Sequence, residues 1–92
     1  MEKHTMLALS TAHVTLETSN LMDNKNIKSV ILYDKDNVGW FVYVPESCDF
    51  DALDDCPEDL RKCLTFARNN DFDWIMFDCD VDTIDELPSY EW

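Results

Sequence analysis

The segment that most restricts this chain runs from Ser29 to Val44. Two strongly β-forming runs, Ser29-Val30-Ile31-Leu32-Tyr33 and Val38-Gly39-Trp40-Phe41-Val42-Tyr43-Val44, flank the polar tetrapeptide Asp34-Lys35-Asp36-Asn37. Asp and Asn suit such a turn because their side chains bond nearby backbone and tolerate positive φ. The pattern predicts a β-hairpin. In the second strand Trp40, Val42 and Val44 point one way, and Phe41 and Tyr43 the other. Both faces are apolar, so the strand belongs inside a sheet. Gly39 is the single glycine in 92 residues and marks a bulge or a close backbone approach. Pro45 ends the strand.

Helical spacing appears twice. Thr15 is a natural N-cap for a short helix over Leu16–Asp23, with Glu17 in its first turn. Pro57 stands where a first-turn proline belongs, followed by Glu58 and Asp59. Leu60, Cys63, Leu64 and Ala67 then recur at i, i+3, i+4 and i+7, so a helix is predicted over 57–69, with Asn69-Asn70 as its C-cap. An opening apolar segment, Thr5–Leu9, reads as an edge strand. Trp74–Cys79 reads as the last strand, with Ile75, Phe77 and Cys79 on one face and Trp74, Met76 and Asp78 on the other. The element order is β-α-β-β-α-β. It predicts a single α+β domain over 1–92, with a largely antiparallel four-stranded sheet and helices on one face. The ferredoxin-like topology shares this order and is one option, though the first helix is short for it.

Charge excludes several functions. There are 20 Asp+Glu against 7 Lys+Arg, a net charge of −13. Direct nucleic-acid binding and adhesion to an anionic membrane both need excess Lys/Arg. No apolar run reaches the ~18–20 residues of a membrane span, and the N-terminus lacks the apolar core of a secretory signal. Hydrophobic content of 46% excludes a disordered acidic tail. The expected location is the cytoplasm, with reduced thiols. Cys63 and Cys79 are read as small core hydrophobes, and a zinc site built from Cys48, Cys56, Cys63 and Cys79 with His4 and His13 has no ligand spacing to support it.

The acidity is lopsided. Residues 1–45 carry a net charge of −1 and residues 46–92 a net charge of −12. One cluster, Asp49, Asp51, Asp54, Asp55, Glu58 and Asp59, surrounds the entry to the second helix and suits plain solubility and the helix dipole. The other, around the last strand, has Glu91 together with the seven carboxylates that matter for binding, Asp71, Asp73, Asp78, Asp80, Asp82, Asp85 and Glu86. If the chain stays extended beyond Asp78, alternate carboxylates stand about 6.6–7 Å apart. That is about twice the ~3.4 Å phosphate rise along one DNA strand, so the row can imitate a nucleic-acid backbone. With Tyr90 and Trp92 as aromatic anchors, these residues form the expected partner-binding set.

Catalytic and metal motifs fail on inspection. Asp78-Cys79-Asp80-Val81-Asp82 opens like a calcium loop, but Thr83 replaces the turn glycine and Ser89 the closing glutamate. Ile75-Met76-Phe77-Asp78-x-Asp80 resembles the opening of haloacid dehalogenases, but only 12 residues follow Asp80. His13 reads as a structural hydrogen-bonding group rather than a base. No glycine-rich loop exists to cradle phosphate. The expectation is no catalytic residue, no metal and no cofactor.

Several strings together carry a family resemblance: Leu9-Ser10-Thr11-Ala12-His13, Gly39-Trp40-Phe41, Asp59-Leu60-Arg61-x-Cys63-x-x-Phe66-Ala67-Arg68, Asp73-Trp74, and the closing Leu87-Pro88-Ser89-Tyr90-Glu91-Trp92. They resemble a small bacterial domain family of unknown function that is often carried on plasmids and other mobile elements. The resemblance implies a bacterial, intracellular setting and carries over no catalytic residues. Mobile elements often encode acidic inhibitors of host defence. The expected function is therefore a non-enzymatic anti-CRISPR or anti-restriction module that meets the basic surface of a nucleic-acid-handling complex. Two alternatives are a small enzyme using His13 or the Asp78–Asp82 carboxylates with or without metal, and a homodimeric interaction domain.

Overall fold

The computed structural model describes residues 1–35, 38–46 and 55–91. It is an α+β fold with two helices and a four-stranded mixed sheet. The elements are β1 (Met6–Ser10), a 3-10 turn (Thr11–His13), α1 (Leu16–Asp23), β2 (Leu32–Lys35), β3 (Gly39–Tyr43), α2 (Glu58–Asn69) and β4 (Trp74–Asp78). Strand order is β1-β4-β3-β2. The β2–β3 and β3–β4 pairs are antiparallel, and β1 runs parallel to β4. The ferredoxin-like option falls on this order, because β1 is an edge strand instead of lying inside the sheet.

The hairpin forms later along the chain than the β-forming run indicates. Asp55 Oδ2 takes the backbone N–H groups of Lys28 at 2.6 Å and Ser29 at 3.2 Å, which removes them from any ladder. Val30 turns into the core, and pairing starts only around Ile31, whose carbonyl accepts from Tyr43 N–H. Lys35 joins the strand, and its carbonyl accepts from Val38 N–H to close the turn. Asp36 and Asn37 lie outside the described residues.

Gly39 is a close-approach glycine. It pairs with Asp78, and a Cβ placed on it would lie 1.7 Å from the carbonyl oxygen of Phe77. No side chain fits there without moving the backbone of β4.

Local signals place both helices. Thr15 caps α1, its hydroxyl accepting from Thr18 N–H at 3.2 Å. In α2 the proline sits one position earlier than a first-turn proline, because the Pro57 carbonyl already accepts from Arg61 N–H. At the other end Asn70 Nδ2 donates to the Phe66 carbonyl, and Asp71 turns the chain out with a φ of 64°.

The core is one cluster. Leu60, Cys63, Leu64 and Ala67 of α2 and Met22 of α1 join alternate strand residues Leu9, Trp40, Val42, Ile75 and Phe77. Leu87 of the C-terminal segment seals it. The intervening strand residues, Met6, Phe41, Tyr43, Trp74, Met76 and Tyr33, are half-buried or exposed.

Candidate functional site

β4 ends at Asp78, and this decides the geometry of the acidic half. The Asp78 carbonyl accepts from Val81 N–H, and its Oδ1 accepts from Asp80 N–H at 2.8 Å. These bonds turn the chain out of the strand, so Asp78, Asp80 and Asp82 do not continue as alternate residues of an extended row. For the same reason Cys79 is exposed and not a core hydrophobe, whereas Cys63 and Cys56 are buried. Cys48 lies outside the described residues.

Two of the candidate carboxylates are engaged within the fold. Asp78 Oδ2 receives the Lys35 ammonium at 3.0 Å, across the gap left by Gly39. The Asp80 N–H, and then the Lys35 ammonium, hold the Asp78 carboxyl below the usual carboxylate range. Asp73 Oδ2 accepts from the N–H of Thr5 at 3.0 Å, and its Oδ1 lies 3.7 Å from Arg68 Nη2. The Thr5 N–H lowers the Asp73 carboxyl first, with Arg68 adding to the effect. These two residues stand at opposite ends of β4, about 17 Å apart along the strand.

The others are free of such ties. Asp71, Asp80, Asp82, Asp85 and Glu86 are exposed. Among the described residues none of them has a cation within ion-pair distance. Asp80 to Glu86 lie on one continuous surface segment that leads to Leu87.

That segment is held by His13. The ring is 1% exposed. Its Nδ1–H donates to the Pro88 carbonyl at 2.8 Å, and its Nε2 accepts from Ile84 N–H at 3.1 Å. The second contact is only possible for an unprotonated Nε2, so the ring is the Nδ1–H tautomer. Tyr90 N–H adds a 2.8 Å bond to the Ala12 carbonyl. The opening Ala12-His13 and the closing Leu87–Tyr90 strings are therefore one structural unit. Tyr90 is half-buried, and Trp92 lies outside the described residues. With both nitrogens occupied, His13 has none to offer as a base.

The first acidic cluster is also partly structural. Asp59 is buried at the start of α2, where its Oδ2 accepts from Thr15 N–H at 2.7 Å and its Oδ1 from the Thr18 hydroxyl at 2.8 Å. It joins α2 to the capped end of α1, a role that nothing in its local sequence signals. Asp49, Asp51 and Asp54 lie outside the described residues.

Asp78, Cys79 and Asp80 are the one group of described residues whose ligand atoms lie close enough, within 4.8 Å, to hold a metal ion. Lys35 already supplies the positive charge there, and Asp78 Oδ1 is committed to a backbone amide.

No helix of the described residues is long and apolar enough to cross a membrane. No curated protein and no solved structure matches the chain. A family model described as "Family of unknown function (DUF5983) C-terminal domain" matches residues 6–92, so the chain belongs to that family.

Proposed function

We propose that this chain is a non-enzymatic protein-binding module whose acidic C-terminal segment meets a cationic protein surface. The observation that carries the reading is the Asp80–Glu86 segment. Its four carboxylates are exposed and have no cation partner among the described residues. His13 and Tyr90 pin the chain that bears them, so the charges are presented on an ordered support. An ordered acidic surface loses less conformational entropy on binding than a loose tail. The charge favours partners that normally hold nucleic acid, whose basic grooves are complementary to it. A bacterial mobile-element setting would narrow these to restriction or CRISPR nucleases.

The reading is tested by DNA cleavage with such nucleases, titrated with the wild-type protein and with an Asp80→Lys, Asp82→Lys, Asp85→Lys variant. Asp78 is left intact because the fold uses it. Wild type is expected to inhibit at least one nuclease, less so as salt rises, since the Debye length is about 8 Å at physiological ionic strength. Equal inhibition by the charge-reversed protein, or none by either, rejects the reading.

The open side of the sheet favours a second reading, self-association. Tyr33 is 58% and Met6 46% exposed, and Trp74 links the rings of Tyr33 and Tyr43 at centroid distances of 6.2 and 5.3 Å. Sedimentation at low and high salt tests it. Screening the −13 charge should strengthen a dimer formed this way, and a monomer at both salts excludes it.

A further inference from the structure

β1 is one edge of the sheet, and its sequence, Met6-Leu7-Ala8-Leu9-Ser10, holds no charge and no proline. Its pairing with β4 is regular along its whole length, with no bulge. Sheet edges are ordinarily guarded by charged residues, proline, bulges or shortness, because their free backbone groups accept a further strand. The opposite edge is guarded in this way: β2 is 4 residues long and two of them are Asp34 and Lys35. β1 has none of these devices.

The free backbone groups of β1 follow from its ladder. Trp74 N–H donates to the Thr5 carbonyl. Alternate residues of a strand face the same neighbour, so Thr5, Leu7 and Leu9 turn their N–H and C=O groups to β4. Met6 and Ala8 turn theirs away from it. Both residues are exposed, so their donors and acceptors stand in a row at the surface.

The surroundings of this row are apolar and uncharged. By register Met6 continues Trp74 and Tyr43 across the open face of the sheet, and Ala8 continues Met76, Phe41 and Tyr33. From Thr5 to Leu16 there is no Asp, Glu, Lys or Arg, the longest such run in the sequence.

A second copy of the chain fits this edge. Each copy carries a charge of −13, and like-charged copies repel least along an uncharged strand. The row is also self-complementary about a two-fold axis. With the axis at Leu7, Met6 of each copy exchanges both backbone hydrogen bonds with Ala8 of the other. The same operation lays the Met6 row of one copy beside the Ala8 row of the other, so the apolar face runs on across the pair.

We propose that β1 pairs antiparallel with β1 of a second copy, joining the two sheets edge to edge. The inference deepens the self-association reading above and rests on it for the occupant being a second copy.

The test is sedimentation equilibrium at high salt, with amide hydrogen exchange read at micromolar and at millimolar concentration. A dimer is expected. The Met6 and Ala8 amides should be slow at the higher concentration and fast at the lower. The Asp34 amide points outward from the β2 edge, since Ile31 and Lys35 face β3, and should stay fast at both. Ala8→Pro removes one outward N–H from each copy and none that β4 uses, and should weaken the dimer about tenfold. Ala8→Glu keeps every backbone bond and should weaken it as well, through like charges brought close across the axis. Protected β3 amides show that each variant is folded.

A dimer whose Met6 and Ala8 amides stay fast, or one that both Ala8 variants leave at full strength, overturns the proposal. Loss of that dimer in Tyr33→Lys then places self-association on the sheet face instead. A monomer at millimolar concentration overturns the proposal and the self-association reading together, and leaves the edge to a strand of another protein.

Discussion

His13 Nδ1 and the carbonyl oxygen of Pro88, 75 positions apart in the chain, form a 2.8 Å hydrogen bond. The other ring nitrogen accepts from Ile84 N–H. One buried imidazole thus holds the C-terminal segment at two points, Ile84 and Pro88, on either side of the exposed Asp85 and Glu86.

His13→Ala should therefore release that segment. It removes two hydrogen bonds, leaves a backbone N–H and a carbonyl short of partners and opens a cavity, at a cost of about 2–4 kcal/mol. Urea denaturation measures the loss, and hydrogen exchange locates it. The amides of Ile84 and Tyr90 should lose protection while those of β3 keep theirs.

Asp59 and Glu58 are adjacent acids in the first turn of α2, yet they should behave differently. Asp59→Ala strands Thr15 N–H and the Thr18 hydroxyl and should destabilise the fold by about 1–3 kcal/mol. Glu58 is exposed and lies 3.8 Å from Lys62 in a surface pair, so Glu58→Ala should stay within about 0.5 kcal/mol of wild type. Paired thermal melts of the two variants check this.

Acid should destabilise the fold through three carboxylates. Asp55 is lowered by its bonds to Ser29 and Lys28, Asp73 by Thr5 and Arg68, and Asp78 by the Asp80 amide and Lys35, each from a reference value of 3.8. The unfolded chain takes up protons first as pH falls. Their contribution is thus fully present above that reference value and is lost as pH drops through the lowered folded values. Urea midpoints between pH 6 and pH 2.5 should fall in the acid range, with a shallower decline in Asp73→Asn.

The thiols should divide by burial. Burial pushes Cys56 and Cys63 up to about 12, so neither offers a thiolate near neutral pH. Native maleimide labelling followed by peptide mapping should modify Cys79 and spare Cys56 and Cys63 until the protein is unfolded. The raised values also set an alkaline limit. The stability they represent is present below the unfolded thiol value and fades as pH climbs from about 9 towards 12.

What the amino-acid sequence determined by itself is what short-range physics controls. The Thr15 cap, the extent of both helices to within a residue, the interior position of β3 and the close approach at Gly39 all follow from neighbours within a few positions. The start of β2 was not legible, because a carboxylate more than 25 positions away, Asp55, takes the amides that would have begun it. The end of β4 was misread because Asp78 turns its own carbonyl and carboxylate back on the chain, which exposes Cys79 and breaks the predicted row of acids. Only the tertiary structure separated carboxylates that hold the fold, Asp55, Asp59, Asp73 and Asp78, from those at Asp80 to Glu86 that are exposed and have no cation partner among the described residues. All are acids of the same chemistry, and a sequence states their charge but not which donors long-range folding brings within 3 Å of them.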